Sequence, residues 1–336
     1  MKSAQLSAPR TIQIANLESL TPNANEAVIA VETAGICGTD LALFSGDYPV
    51  ALPLVCGHEF AGTVKLVGNA MDTQWIGKRV VAEINNTCIA YEMEKPCRAC
   101  ELDMPNHCLK RNVTGIINHD GAFAEEVSVA GGTLHEIPET VDSLTATLAE
   151  PLAAAIQTFE MTHINNGETV VVLGPGRLGI LIVFVAALKG AQVIAVSRSE
   201  AKRKRATSYG AAHAFSPESA DAQIKNLTHG LGADIVVDAT GSTEGLVQAS
   251  QLVRPRGTIS VKTTCGLPEH GLNITKLVVD EIGIQGSRCG PFQPALELLA
   301  KHHEQLGKLI TSVRSLDEAQ SALESAYYEN KVVIKM

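Results

Sequence analysis

The stretch Thr169-Val170-Val171-Val172-Leu173-Gly174-Pro175-Gly176-Arg177-Leu178-Gly179 decides the reading of this 336-residue chain. Residues 169–173 are a continuous apolar run of the kind buried on both faces of a parallel sheet. A G-x-G-x-x-G follows at once and opens a long apolar segment, residues 178–188, that reads as a buried helix. Glycines collect in loops, so the pattern alone says little; set between a strand and a helix it acquires a mechanism. Gly174 permits the tight turn, Gly176 lets backbone N–H groups approach a pyrophosphate at the helix N-terminus, and Gly179 allows close helix–strand packing. Arg177 and Leu178, between the last two glycines, belong to the same candidate cofactor-binding set.

Working outward, residues 192–196 read as a strand, 200–209 as a helix, 234–238 as a strand, 244–252 as a helix and 258–261 as a strand. This βαβαβ series predicts an α/β unit: a doubly wound, Rossmann-type parallel sheet with helices on both faces. The tip of its second strand governs which dinucleotide fits. An acidic residue there would bind a ribose 2′-OH and repel a 2′-phosphate, but this chain has Ser197-Arg198-Ser199 and then Lys202. A hydroxyl and a guanidinium complement a phosphate dianion, so NADP is favoured over NAD. The competing reading makes Arg198 and the run Lys202-Arg203-Lys204-Arg205 a solvated helix face.

Upstream, the first third of the chain is β-rich, with short β-branched runs at 27–31 and 62–67 broken by Gly, Pro, Asn and Asp. It carries two constellations of metal-ligand type. One joins Cys37-Gly38-Thr39-Asp40 to Gly57-His58-Glu59 and, much later, Glu150-Pro151-Leu152. A thiolate, an imidazole and carboxylates make a mixed S/N/O set suited to tetrahedral zinc with one labile position. The other, Cys88, Cys97, Cys100 and Cys108, reads C-x8-C-x2-C-x7-C. Four thiolates with no open position suit a structural zinc that supplies folding energy to a loop without its own core. Cys88 has an alternative in Glu94, an oxygen ligand two residues before Pro96-Cys97.

The domains expected are residues 1–150, β-rich and zinc-binding, and 151–285, dinucleotide-binding. Residues 286–336 hold one helix (294–302) and a short strand (332–334), too little for a third domain, and return to the first. Hydrophobic residues make up 45% of the chain, ample for buried cores, and charged residues 19%. A net charge of −9 argues against general affinity for nucleic acid or anionic membranes, which needs a basic surface. The longest apolar stretch is too short to span a bilayer, and Met1–Gln5 lacks a signal peptide's apolar core. A cytoplasmic protein is expected, in which eight cysteines are better explained as metal ligands or buried thiols than as disulfides.

Taken in order, Cys37-Gly-Thr-Asp, Gly-His58-Glu59, the cysteine lobe, Glu150-Pro-Leu, Gly174-x-Gly-x-x-Gly and Val237-Asp-Ala-Thr-Gly241 resemble the zinc-containing branch of the medium-chain dehydrogenase/reductase family, which includes alcohol, sorbitol and threonine dehydrogenases. The resemblance covers essentially the whole chain. It implies a split, GroES-like catalytic domain flanking the nucleotide domain, two zincs per chain, and a homodimer or homotetramer. It also implies a catalytic zinc on Cys37, His58 and Glu59, with Glu150 binding the metal or its water. Two positions depart from the family pattern. Many members have Cys-x2-Cys-x2-Cys-x7-Cys in the lobe, and counting back from Cys108 the first of those positions is Glu94; Cys88 then stands as the displaced ligand beside an insertion over 89–95. Many members also carry a proton-relaying histidine where this chain has Ala42.

The chemistry implied is hydride transfer between an alcohol, or its carbonyl, and NADP or NAD, with the metal as Lewis acid and Thr39 accepting the hydroxyl proton. Ala42 shortens the relay, so the proton leaves through water or cofactor hydroxyls. The alternative from another class is a catalytically weak, NADP-binding redox-sensing regulatory protein.

Overall fold

The computed structural model describes residues 1–263, 266 and 271–336. The chain forms two compact units, one made of Met1–Glu150 and Phe292–Met336, the other of Pro151–Pro291.

Among the described residues, the second unit is built on a six-stranded sheet in the order His213–Phe215, Gln192–Val196, Thr169–Leu173, Ala233–Asp238, Val253–Val261, Gly283–Gly286. Every neighbouring pair is parallel. The chain starts in the middle of the sheet and winds outward in both directions, so the switch in direction lies between Thr169–Leu173 and Ala233–Asp238, where such sheets bind ligands. Val171, Leu173, Ile194, Val196, Val236 and Ile259 share one buried core with Ala220 and Ile224 of the helix Pro217–Leu227. Gly179–Ala186 of the helix Arg177–Leu188 are all buried, which is what an apolar sequence without a polar face requires. The sequence reading leaves His213–Phe215, Pro217–Leu227 and Gly283–Gly286 unassigned. Two of these are the outermost strands, short and half-wet, with little apolar alternation to detect.

In the first unit the main sheet runs Leu134–Glu136, Arg79–Ala82, Glu59–Val67, Glu26–Gly35, Val332–Lys335, Ser312–Ser315, with Glu126–Ala130 also pairing on Glu26–Gly35. The last strand of the chain thus lies between Glu26–Gly35 and Ser312–Ser315, with Val332, Val333 and Ile334 wholly buried. Its register sets Val333 opposite Gly35, and on the other side of the same strand Glu59 is opposite Gly35. No helix among the described residues is long and apolar enough to cross a membrane.

Because the C-terminal strand fills the sheet beside the residues of the site below, Ile334→Ala is expected to cost about 2–5 kcal/mol, the usual range for emptying a packed core position. Urea unfolding followed by circular dichroism reads this as a lower midpoint at unchanged slope. A loss below about 0.5 kcal/mol, typical of surface positions, would mean that this strand is not part of the cooperative core.

Candidate functional site

A helix start and a strand start bring the first cluster together. Cys37 is the N-cap of the helix Gly38–Ser45, and His58 immediately precedes the strand Glu59–Val67. Ligand atoms of Cys37, His58 and Glu59 all lie within 4.8 Å of one another, with the histidine and glutamate buried and the cysteine half-buried. Gly57 reaches this turn at φ +95°, and a Cβ there would come within 2.6 Å of the Phe123 ring, so the chain needs glycine to enter the Gly-His-Glu segment.

The sequence reading quotes Asp40 only as part of a motif; the structure gives it a role. Its carboxylate is wholly buried. Oδ2 accepts the Cys37 N–H at 2.8 Å, closing a capping box at the helix start. Oδ1 accepts the Gly57 N–H at 3.1 Å and stands 3.5 Å from His58 Nδ1. That distance is ionic rather than a well-aligned hydrogen bond, and Nδ1 has no closer partner. With Nδ1 turned toward a carboxylate, the other ring nitrogen is the one free to serve Cys37 or a metal, the arrangement by which outer-shell acids orient metal-binding histidines. The signal in the sequence was local: an aspartate three residues into a helix that opens at Cys37.

Burial opposes ionisation of both Cys37 and His58, yet each overcomes it through its neighbours. The charge and hydrogen bond of His58 hold the Cys37 thiol below its ordinary value. Asp40 and Cys37 together raise His58 well above its own. A thiolate, an imidazole backed by a carboxylate, and a second carboxylate form a donor set of the type that holds zinc, so the residues fit the metal implied by their spacing. Thr39 is half-exposed, with its hydroxyl 3.9 Å from the Cys37 sulfur. Glu150, in the first turn of the helix Ala149–Met161, acts on Cys37 by its charge but is not one of the three clustered ligands.

Lys331 is a participant the sequence reading missed. It is buried, and its Nζ pairs directly with Glu59 Oε2 while donating to the Ile36 carbonyl at 3.3 Å. Burial lowers its pKa to about 8, against the charges of Cys37 and Asp40 that raise it. Pairing engages one carboxylate oxygen, and the second keeps its own lone pairs. Lys331 lies 272 residues from Glu59, and no local pattern could have revealed it.

The second cluster gathers all four cysteines of the lobe. Sulfur–sulfur distances are 3.2 Å for Cys88–Cys108, 3.6 Å for Cys88–Cys100 and 3.7 Å for Cys97–Cys108. These are far beyond a disulfide bond and near the edge of about 3.8 Å in a tetrahedron with Zn–S bonds of ~2.3 Å. Backbone N–H groups point at the sulfurs: Cys88 and Lys110 at Cys108, Cys97 at Cys88, and Leu109 at Cys97. Backbone N–H groups of Cys100 and Leu109 bring the Cys97 thiol down to about 6, whereas burial and the neighbouring sulfurs push Cys100 up to about 12. Four crowded thiols cannot all ionise without a cation among them, so this lobe too fits a metal. Cys88 stands in the cluster, and Glu94 is exposed outside it.

In the second unit, Gly174 adopts φ +76°, and a Cβ on Gly179 would fall 2.2 Å from the Gly174 carbonyl oxygen. A Cβ on Gly176 would meet nothing nearer than 4.0 Å, so its glycine is not demanded by the protein's own packing and fits the close approach of a pyrophosphate. Arg177 and Leu178 open the helix. Beyond the second strand, Ser197 Oγ accepts the Ser199 N–H at 3.2 Å, and Ser199 caps the next helix, accepting the Lys202 N–H. Burial lowers the Lys202 pKa, and the charges of Arg205, Arg177 and Arg198 lower it further. The cations of the glycine loop and the second strand tip therefore share one electrostatic neighbourhood.

The lobe yields a direct expectation. Cys88→Ser should remove about one zinc per chain, while Glu94→Ala should remove none, since a four-thiolate site uses no oxygen ligand. Metal analysis after gel filtration checks both; zinc lost from Glu94→Ala and kept by Cys88→Ser would reverse the assignment.

The chain was compared with known proteins. Residues 23–139 match the alcohol dehydrogenase GroES-like domain and residues 178–301 the zinc-binding dehydrogenase domain. It is 32% identical to a sorbitol dehydrogenase of Halalkalibacterium halodurans over 315 residues, covering 91% of this chain and 90% of that protein. It is 29% identical to D-xylulose reductase A of Aspergillus oryzae, covering 89% and 86%. A crystal structure of a Sinorhizobium meliloti protein assigned to the zinc-binding dehydrogenases and bound to NADP superposes with a TM-score of 0.89 at 30% identity, covering 100% of this chain and 99% of that one. With both domain types matched and this relative aligned over almost its whole length, the chain belongs to the zinc-containing medium-chain dehydrogenase/reductase family.

Proposed function

We propose that the chain is a zinc-dependent polyol dehydrogenase, moving a hydride between an alcohol group of a polyol, or its carbonyl form, and NADP(H), with NAD(H) as second cofactor. The observation that carries this reading is the convergence of Cys37, His58 and Glu59, with Asp40 braced behind the histidine. The substrate class follows the names of the relatives, a sorbitol dehydrogenase and a xylulose reductase. When bound, zinc supplies a Lewis acid for the substrate oxygen and the dinucleotide supplies the hydride carrier.

The protein's part is to hold, orient and move a proton. Cys37, His58 and Glu59 would hold the metal, and Asp40 fixes the imidazole and the thiolate through the two backbone N–H groups it accepts. Thr39 Oγ1 takes the substrate hydroxyl proton and, being half-exposed, passes it to water, which makes a histidine at position 42 unnecessary. Glu150, whose charge reaches Cys37 from the first turn of its helix, would be an additional, exchangeable oxygen ligand for a bound metal, since three anionic ligands held at once would blunt its Lewis acidity. Gly174, Gly176, Arg177, Leu178 and Gly179 cradle the pyrophosphate. Ser197, Arg198 and Lys202 take the 2′-phosphate, a preference supported by the mutual repulsion of cations around Lys202. A second zinc sits in the lobe of Cys88, Cys97, Cys100 and Cys108. The intact ligand set disfavours the alternative of a redox sensor without turnover.

A cytoplasmic setting agrees with the free thiols of the two clusters, Cys37, Cys88, Cys97, Cys100 and Cys108, which are needed as thiolates. Homo-oligomerisation agrees with the exposed apolar side chains Ile274, Val278, Val279 and Ile284, the last of them in the strand Gly283–Gly286, which is outermost in its sheet among the described residues.

Two expectations test this reading. Cys37→Ser and His58→Ala should lose sorbitol and xylitol oxidation while still binding NADP, as followed by cofactor fluorescence; turnover that survives would remove zinc from the mechanism. Arg198→Ala combined with Lys202→Ala should raise the KM for NADP roughly ten- to hundredfold, the scale of lost charge-assisted hydrogen bonds, with little change for NAD. Equal effects on both cofactors would take the 2′-phosphate away from these residues.

A further inference from the structure

The pairing of Lys331 with Glu59 points to a role for the C-terminal segment in the chemistry of the site. The pair is built into the sheet. Gly35 stands opposite Glu59 on one side and opposite Val333 on the other, and Lys331 enters just before that C-terminal strand. A Cβ on Gly35 would lie 2.7 Å from Glu59 Oε2 and 2.9 Å from Lys331 Cε, so the sheet leaves room for the pair only because residue 35 is glycine. Both side chains are buried, at 4% and 2% exposure, so the ammonium cannot be replaced by solvent.

Charge balance gives the pairing a function. The Cys37 thiolate and the Glu59 and Asp40 carboxylates bring three negative charges together, and Glu150 acts on Cys37 as a further anion. Zinc brings two positive charges, leaving an excess that a buried site tolerates poorly. Lys331 supplies the missing cation. It is attached to the ligand itself, so electron density that Glu59 would otherwise donate to the metal is shared with the ammonium.

We propose that Lys331 is a positioning residue that shares the Glu59 carboxylate with the metal, weakening this ligand and keeping the metal electrophilic. The inference rests on the assignment of Cys37, His58 and Glu59 as the catalytic zinc site. Two consequences follow from one cause. Without Lys331, Glu59 binds the metal more strongly and the metal is held more tightly; the same change reduces its power to acidify a substrate hydroxyl.

The test uses the full chain loaded with cobalt(II) or zinc, compared with Cys37→Ser, which keeps only the four-cysteine metal. In Lys331→Met the Cys37-dependent cobalt absorption bands should shift, and loss of that metal to a chelator should slow by about tenfold or more, the scale on which outer-shell partners act. Turnover should fall, and Lys331→Arg should restore all three readouts toward wild type. In a Glu59→Gln background, Lys331→Met should change neither spectrum nor release rate, because its effect runs through Glu59. If Lys331→Met does not fold, Lys331→Gln, which loses the charge but keeps a donor for Glu59 and the Ile36 carbonyl, takes its place with the same readouts and the same two outcomes. Unchanged bands and release in a folded Lys331→Met, or an effect that persists in the Glu59→Gln background, overturns the role of Lys331 while leaving the zinc site standing. Absence of any Cys37-dependent cobalt signal in the wild-type protein overturns the zinc site and the inference together.

Discussion

The carboxylate of Asp40 is the constraint on which the site depends. It is buried, stands 3.5 Å from the His58 imidazole, acts by its charge on Lys331, and accepts the N–H groups of Cys37 and Gly57. One side chain therefore ties the start of a helix to the turn before a strand, and orients the histidine between them. A buried carboxylate left without such partners would cost several kcal/mol, so the same contacts that stabilise the turn also set the geometry of the ligands. Cys37 and His58 then perturb each other in opposite directions, one becoming more acidic and the other more basic. These directions favour a thiolate beside a protonated imidazole, and a metal that bound the pair would take the place of that proton.

The cysteine lobe follows a different logic. Its segment, between residues 88 and 108, contains one turn of helix at Arg98–Glu101 and one of 3₁₀ helix at Pro105–His107, with almost no apolar side chains other than the cysteines facing inward. The four sulfurs are its core. Backbone N–H groups directed at them compensate part of the thiolate charge, and a metal would supply the rest. The two clusters thus differ in kind. One is closed by four like ligands, and the other mixes sulfur, nitrogen and oxygen beside a half-exposed threonine.

Much of this was legible in the sequence for physical reasons. The apolar run 169–173 followed by three spaced glycines can satisfy its backbone and its packing in few ways, and residues 192–196, 234–238 and 244–252 alternate at the periods that a parallel sheet with covering helices imposes. Close spacing also announced Cys97, Cys100 and Cys108. What stayed hidden was set by contacts distant along the chain. Spacing carries no information on whether Cys88 or Glu94 turns inward; in the structure Cys88 lies with the other three cysteines and Glu94 is exposed. Lys331 reaches Glu59 only because the last strand of the chain is inserted beside Gly35. The outer strands His213–Phe215 and Gly283–Gly286 escaped because three or four half-wet residues bury too little apolar surface to leave a periodic trace.

The account's central claim is that two metals sit on two different ligand sets of the first unit. Diffraction data collected on either side of the zinc absorption edge, from crystals of protein purified without chelator or added metal, test it most directly. The account predicts two anomalous peaks per chain, one among Cys88, Cys97, Cys100 and Cys108 and one among Cys37, His58 and Glu59. A single peak confined to the cysteine lobe, with the Cys37 site fully ordered, would contradict it and leave the chain a zinc-stabilised protein without a catalytic metal.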